Sequence, residues 1–119
     1  MAERLEIRVF GHRWISEFLV KGYNVYEIKV INTSGRGEER RIERRYSSLE
    51  WLDRLLQRNY PGCHIPVLPE KSVILKMNLD DDELQRRGEK IEYYLNSVVH
   101  HPILQESQEL AQYLSQNFQ

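Results

Sequence analysis

With 119 residues, 40% of them hydrophobic and 29% charged, the chain has the material for one hydrophobic core and the balance of a folded domain rather than a disordered segment. Seventeen Lys and Arg against 18 Asp and Glu leave a net charge of −1, which excludes the basic excess of a general nucleic-acid binder. No apolar run approaches the roughly 20 residues of a bilayer-spanning helix, and the single Cys63 excludes an internal disulfide or a multi-cysteine zinc site.

The opening MAERLEIRVF has no long apolar stretch behind a basic head, so no signal peptide is expected, and a reduced, intracellular setting is. The charge is uneven. Residues 1–60 carry 12 Lys and Arg against 9 Asp and Glu, whereas residues 61–119 carry 5 against 9. The basic excess peaks at RGEERRIERR, residues 36–45, so any anion site is expected as a local pocket rather than a coated surface.

Leu5–Phe10 alternates apolar Leu5, Ile7 and Val9 with Glu6 and Arg8, the period-2 pattern of a half-buried strand. The apolar cluster Trp14–Val20 continues or bends this element, and Gly22 is expected to break it. Tyr23–Ile31, rich in β-branched and aromatic residues, predicts a second strand, Asn32–Gly37 a turn, and about Glu39–Tyr46 a third strand. Ser47-Ser48-Leu49-Glu50 fits a capping box that opens a helix with Leu49, Leu52, Leu55 and Leu56, ended by Pro61-Gly62. Ile65–Pro69, with Pro66 and Pro69 three apart, favours extended polyproline II structure. Ser72–Asn78 reads as an exposed apolar loop or a short extended segment. Asp80–Glu83 sets four acids at a helix start, and that helix runs to about His101 through Leu84, Ile91, Leu95 and Val98. A last helix spans about Gln105–Ser115, with Leu110 and Leu114 in the core. Strands followed by helices predict an α+β fold: one domain over 1–119, with a three-stranded antiparallel sheet on three to four helices.

The chemistry concentrates at Arg44-Arg45-Tyr46-Ser47, where two guanidinium groups and a ring end a strand as a helix begins. Arginine forks phosphate, a helix N-terminus adds free amides, and a tyrosine offers a flat face, a combination suited to a phosphorylated ring. The competing reading pairs both arginines with Glu38, Glu39 or Glu43 and buries Tyr46 in the core. Arg87 lies on the apolar stripe between Leu84 and Ile91, where a charge needs a partner: a ligand, or a carboxylate such as Glu50. Lys71 follows the proline-stiffened segment, either as a solvated lysine or at a pocket mouth. Beyond it Val73, Ile74, Leu75 and Met77 form either a tucked-in loop or a wedge entering an anionic bilayer. His12, His64, His100 and His101 are scattered, no catalytic or nucleotide-binding motif occurs, and neither metal nor cofactor is expected; Asp80–Glu83 reads as helix capping.

Taken in order, RRYSSLEW, then Pro66-Val67-Leu68-Pro69-Glu70-Lys71, then ELQRRGEKIEYYLNSVVHHPIL, the chain resembles the phox homology (PX) domain of sorting nexins from about Leu5 to about Phe118. The resemblance implies a three-stranded sheet with a helical subdomain and a proline-rich loop. It implies no catalysis, but binding of phosphoinositides, most often phosphatidylinositol 3-phosphate, by a cytoplasmic protein peripheral on early endosome membranes. It assigns Arg45 to the 3-phosphate, Tyr46 to stacking under the inositol ring, Lys71 to the 1-phosphate and Arg87 to the 4- and 5-hydroxyls, and makes Ser72–Asn78 the membrane-insertion loop. Leu49 stands where the family often has an aromatic residue and Ser48 where it often has an acid, which touches helix packing and capping more than the pocket. The alternative is a protein-interaction adaptor of the same fold, partnered by other trafficking proteins through Ile65–Pro69 or the sheet.

Overall fold

The computed structural model describes residues 4–17, 20–69, 81–116 and 118. Strands β1 (Leu5–Glu17), β2 (Val20–Asn32) and β3 (Glu39–Arg45) form an antiparallel sheet in the order β1-β2-β3. Helices α1 (Tyr46–Asn59), α2 (Asp81–Val99) and α3 (Gln108–Tyr113) follow, with a 3-10 turn at Leu104–Glu106 between the last two. This is the expected α+β architecture. Phe18, Leu19, Asp80 and the segment Ser72–Asn78 lie outside the described residues.

The first hairpin is longer than the sequence suggests, and the expectation that Gly22 breaks it is corrected. β1 extends to Glu17 and β2 starts at Val20, so Gly22 sits inside β2. Its missing side chain makes room for a ring: a Cβ there would lie 2.1 Å from Trp14 Cζ2. Two register shifts, between Val9 and Gly11 and between Ile15 and Glu17, bend β1.

Alternation divides the sheet into two faces. Ile7, Tyr26, Ile28, Val30 and Ile42 point inward and are buried. The register Arg8–Lys29–Arg41, Gly11–Glu27–Glu43 and Arg13–Val25–Arg45 sets the other parity on the outer face. Leu49, Leu52 and Leu56 of α1, Leu84, Ile91, Tyr94, Leu95 and Val98 of α2, and Leu104, Leu110, Tyr113 and Leu114 complete the core.

α2 closes the edge of β1 with side chains in place of a fourth strand. Asn96 accepts from the Ile7 amide at 2.8 Å and donates to the Ile7 carbonyl at 2.8 Å. Glu92 accepts from the Val9 amide at 2.8 Å. Two helix ends differ from expectation. α2 stops at Val99, short of His101, whose Nδ1 accepts from the amides of Ile103 and Leu104 at 3.1 and 3.2 Å. The single helix expected over Gln105–Ser115 is interrupted at Ser107, whose hydroxyl accepts from Leu110 N at 3.2 Å and starts α3 afresh.

Candidate functional site

β3 delivers Arg44 and Arg45 to opposite faces because strand side chains alternate. Arg44 turns inward and is 6% exposed. It donates to the carbonyls of Glu43 at 2.7 Å and Tyr113 at 2.8 Å, and to that of Ser115, and lies over the rings of Tyr113 and Phe118. Arg40, two residues back, donates twice to Leu114 O at 3.0 and 3.2 Å. These two arginines therefore hold the end of α3 against β3. The reading in which Arg44 pairs with a strand glutamate is replaced: its partners are backbone carbonyls.

Arg45 faces the other way and is exposed. Its guanidinium carbon rests 3.8 Å from the centre of the Tyr23 ring, and it forms no ion pair among the described residues. Tyr23 was not marked by the sequence. Its diagonal place beside Arg45, two positions from the Val25–Arg45 pair, follows only from the register.

α1 begins directly at Tyr46, with Arg45 as its N-cap in extended conformation. The predicted capping box is thus corrected: Ser47 lies inside the first turn and no side chain caps the helix. The first turn also holds no acidic residue, so among the described residues no carboxylate of that turn offsets its free amides and partial positive charge beside Arg45. Tyr46 is half-buried rather than part of the core, and its hydroxyl donates to Pro69 O. Burial raises the pKa of that hydroxyl, with Arg87 acting against the rise.

α2 brings in Arg87. Its guanidinium carbon stands 4.5 Å from the centre of the Tyr46 ring. Next to it, Gly88 lets α2 close on the sheet: a Cβ there would approach Val9 Cγ1 to 3.2 Å. Tyr94, lower on the same helix, donates to Asp53 of α1 at 2.7 Å and fixes the two helices together. Of the four headgroup residues expected, the structure thus sets Arg87 on Tyr46, joins Tyr46 to Arg45 through the backbone, and rests the Arg45 guanidinium on Tyr23. Lys71 lies outside the described residues, as do Val73, Ile74, Leu75 and Met77. Before them, Ile65 is buried while Val67 is 89% exposed beside the Tyr93 side of α2.

The PX domain family model matches residues 32–117. Sorting nexin 1 of Arabidopsis thaliana is 38% identical over 80 residues, covering 66% of this chain and 20% of that protein. Vacuolar protein sorting-associated protein vps5 of Schizosaccharomyces pombe is 37% identical over 65 residues, covering 55% of this chain and 11% of that protein. The chain therefore spans a fifth or less of the length of these two relatives. Among solved structures, a designed CISK-PX domain superimposes with a TM-score of 0.79 at 31% identity, over 92% of this chain and 98% of that one. The mouse SNX19 PX domain with bound sulphate ion shares the fold, with a TM-score of 0.68 at 19% identity over 92% of this chain and 93% of its own. With a sheet, helices and sequence that agree over most of its length, this chain belongs to the PX domain family, in its sorting-nexin branch.

Proposed function

We propose that residues 1–119 form a membrane-targeting module, without catalysis of its own, that recognises phosphatidylinositol 3-phosphate on endosomal membranes. One observation carries this reading: residues 41 positions apart in the chain, Tyr46 and Arg87, meet at 4.5 Å where β3 passes into an uncapped helix, beside an exposed arginine that pairs with no carboxylate among the described residues. A phosphorylated ring offers each group a complementary contact. Its 3-phosphate gives Arg45 a two-pronged anionic partner and satisfies the open amides of α1. Its apolar face lies on Tyr46, and its hydroxyls accept from Arg87. Lys71 would reach the 1-phosphate, and Val73, Ile74, Leu75 and Met77 would enter the bilayer. The exposed Val67 supports this orientation, since it places an apolar side chain in the segment that leads to them.

The test is flotation with vesicles of phosphatidylcholine, with and without a few per cent phosphatidylinositol 3-phosphate, alongside vesicles carrying the other phosphoinositides. Arg45→Ala removes charge-assisted hydrogen bonds worth about 2–4 kcal/mol, so binding should weaken roughly thirty- to several-hundred-fold. A folded Arg45→Ala protein that binds as the parent does contradicts the reading. If no phosphoinositide is bound while a trafficking protein is captured, the fold serves as an adaptor instead.

A further inference from the structure

We propose that Arg13 is a positioning residue for Arg45: by occupying Glu43 it keeps the neighbouring arginine unpaired and available to a phosphate. The inference rests on the headgroup reading above and extends it to a residue of a different strand.

Glu43 stands two residues before Arg45 on β3, so both side chains project from the same face of the sheet. At that spacing a glutamate and an arginine are within reach of each other, and an ion pair between them would compete with any incoming anion. Glu43 is directed elsewhere. Arg13, on β1, extends across the middle strand and grips it with two bonds, Nε to Oε2 at 2.5 Å and Nη2 to Oε1 at 2.6 Å. This forked bond holds the Glu43 carboxyl below its ordinary pKa, so Glu43 is ionised and engaged.

The second acid of the same cross-strand row is also turned away. Glu27 lies opposite both Glu43 and Gly11. Its carboxylate occupies the space over Gly11, where a Cβ would come within 2.6 Å of Glu27 Oε1. What remains for Arg45 among the described residues is Tyr23, a neutral ring 3.8 Å away. At an exposed site such a contact is weak and is given up at little cost, whereas a carboxylate pair would have to be broken and would leave a negative charge beside the phosphate. The outer face is thus arranged so that the arginine nearest the helix N-terminus rests on a ring while its two acidic neighbours are engaged by Arg13 and accommodated by Gly11.

A double-mutant cycle on vesicle affinity tests this, with Arg13→Ala, Glu43→Gln and the pair, on phosphatidylcholine vesicles with and without phosphatidylinositol 3-phosphate. Arg13→Ala frees Glu43 to pair with Arg45 and should weaken binding about two- to fivefold, the range of an exposed but well-aligned ion pair. Glu43→Gln should restore affinity in the Arg13→Ala background and change the parent little. A simple net-charge effect gives the same gain from Glu43→Gln in both backgrounds, and that additive result overturns the proposal, as does unchanged binding by Arg13→Ala. If the parent protein binds no phosphoinositide vesicle, the headgroup reading itself fails and takes this inference with it; binding by the parent with an additive cycle removes the inference alone.

Discussion

Arg44 and Arg45 are consecutive and chemically identical, so replacing each by Met, which keeps much of the volume and removes the charge, separates support of the fold from recognition of a ligand. Arg44 is buried and donates to three backbone carbonyls, two of them at Tyr113 and Ser115 where α3 ends, and stacks on Tyr113 and Phe118. A hydrogen bond from a charged donor contributes about 1.5–3 kcal/mol, but the carbonyl of the half-buried Ser115 recovers part of its loss from water. A net cost of about 2–4 kcal/mol follows for Arg44→Met. At about 2.1 cal/mol/K per residue, a chain of 119 residues shifts its Tm by about 4 °C per kcal/mol, so Tm should fall about 8–16 °C. Arg45 is exposed and gives up one ring contact, about 0.5–1 kcal/mol, so Arg45→Met should lower Tm by no more than about 4 °C while vesicle binding is lost. Thermal melts followed by far-UV circular dichroism, with flotation at a temperature where both variants are folded, give the comparison. The assignment is refuted if Arg45→Met costs as much stability as Arg44→Met, or if Arg44→Met keeps its Tm and loses binding.

Asn96→Ala deletes both bonds to Ile7 and leaves a buried amide and carbonyl at the edge of β1 without their partner, so chemical denaturation should show a loss of about 2–4 kcal/mol, more than Asn96→Asp if the aspartate still accepts from Ile7 N. Gly22→Val forces its Cβ into the Trp14 ring; Trp14 fluorescence should shift to the red and Tm should drop, whereas Gly35→Val, where nothing lies near, should leave both unchanged. Burial, together with the bond to Asp53, raises the Tyr94 pKa, and burial raises that of Tyr113. A raised pKa means that the native state holds its proton longer than the unfolded chain. Stability should therefore be level with respect to these groups below about pH 10 and fall as pH rises beyond it, with a shallower slope in Tyr94→Phe, in denaturant titrations from pH 8 to 11.

Features governed by one element's own period were legible in the sequence. The alternation of Tyr23–Ile31 marks β2, and the steps from Leu84 to Ile91 place Arg87 on the inward side of α2, where it meets Tyr46. Features governed by contacts between elements were not. Gly22 reads as a break because glycine usually is one, and only the hairpin pairing shows that Trp14 lies over it. The serine–glutamate spacing at Ser47 matches a capping box, but β3 runs without a loop into α1, so the helix starts two residues earlier and Arg45 takes the cap position. Asn96 gave no local signal at all, since its partner is the backbone of Ile7, 89 residues away. Arg13 and Tyr23 are likewise visible only once the three strands are in register.

That register is what connects the turn to the proposed pocket. Side chains on β3 alternate, so Arg40, Ile42 and Arg44 face the helices while Arg41, Glu43 and Arg45 face outward. A slip of one residue would carry Arg45 into the core and expel Arg44, removing the clamp on α3 and the proposed phosphate ligand in one step. Three features oppose the slip. Gly37, with φ of 73°, takes the left-handed conformation in the turn, and Asn32 N bonds Glu38 O at 2.8 Å, which starts β3 at a defined residue. Ile42 is buried at the centre of the strand. Arg13 grips Glu43 from the far strand. The outer-face pair proposed to keep Arg45 from its acidic neighbours thus also helps to define which arginine is the outer one, and this is why its loss is better read by a coupling measurement than by affinity alone.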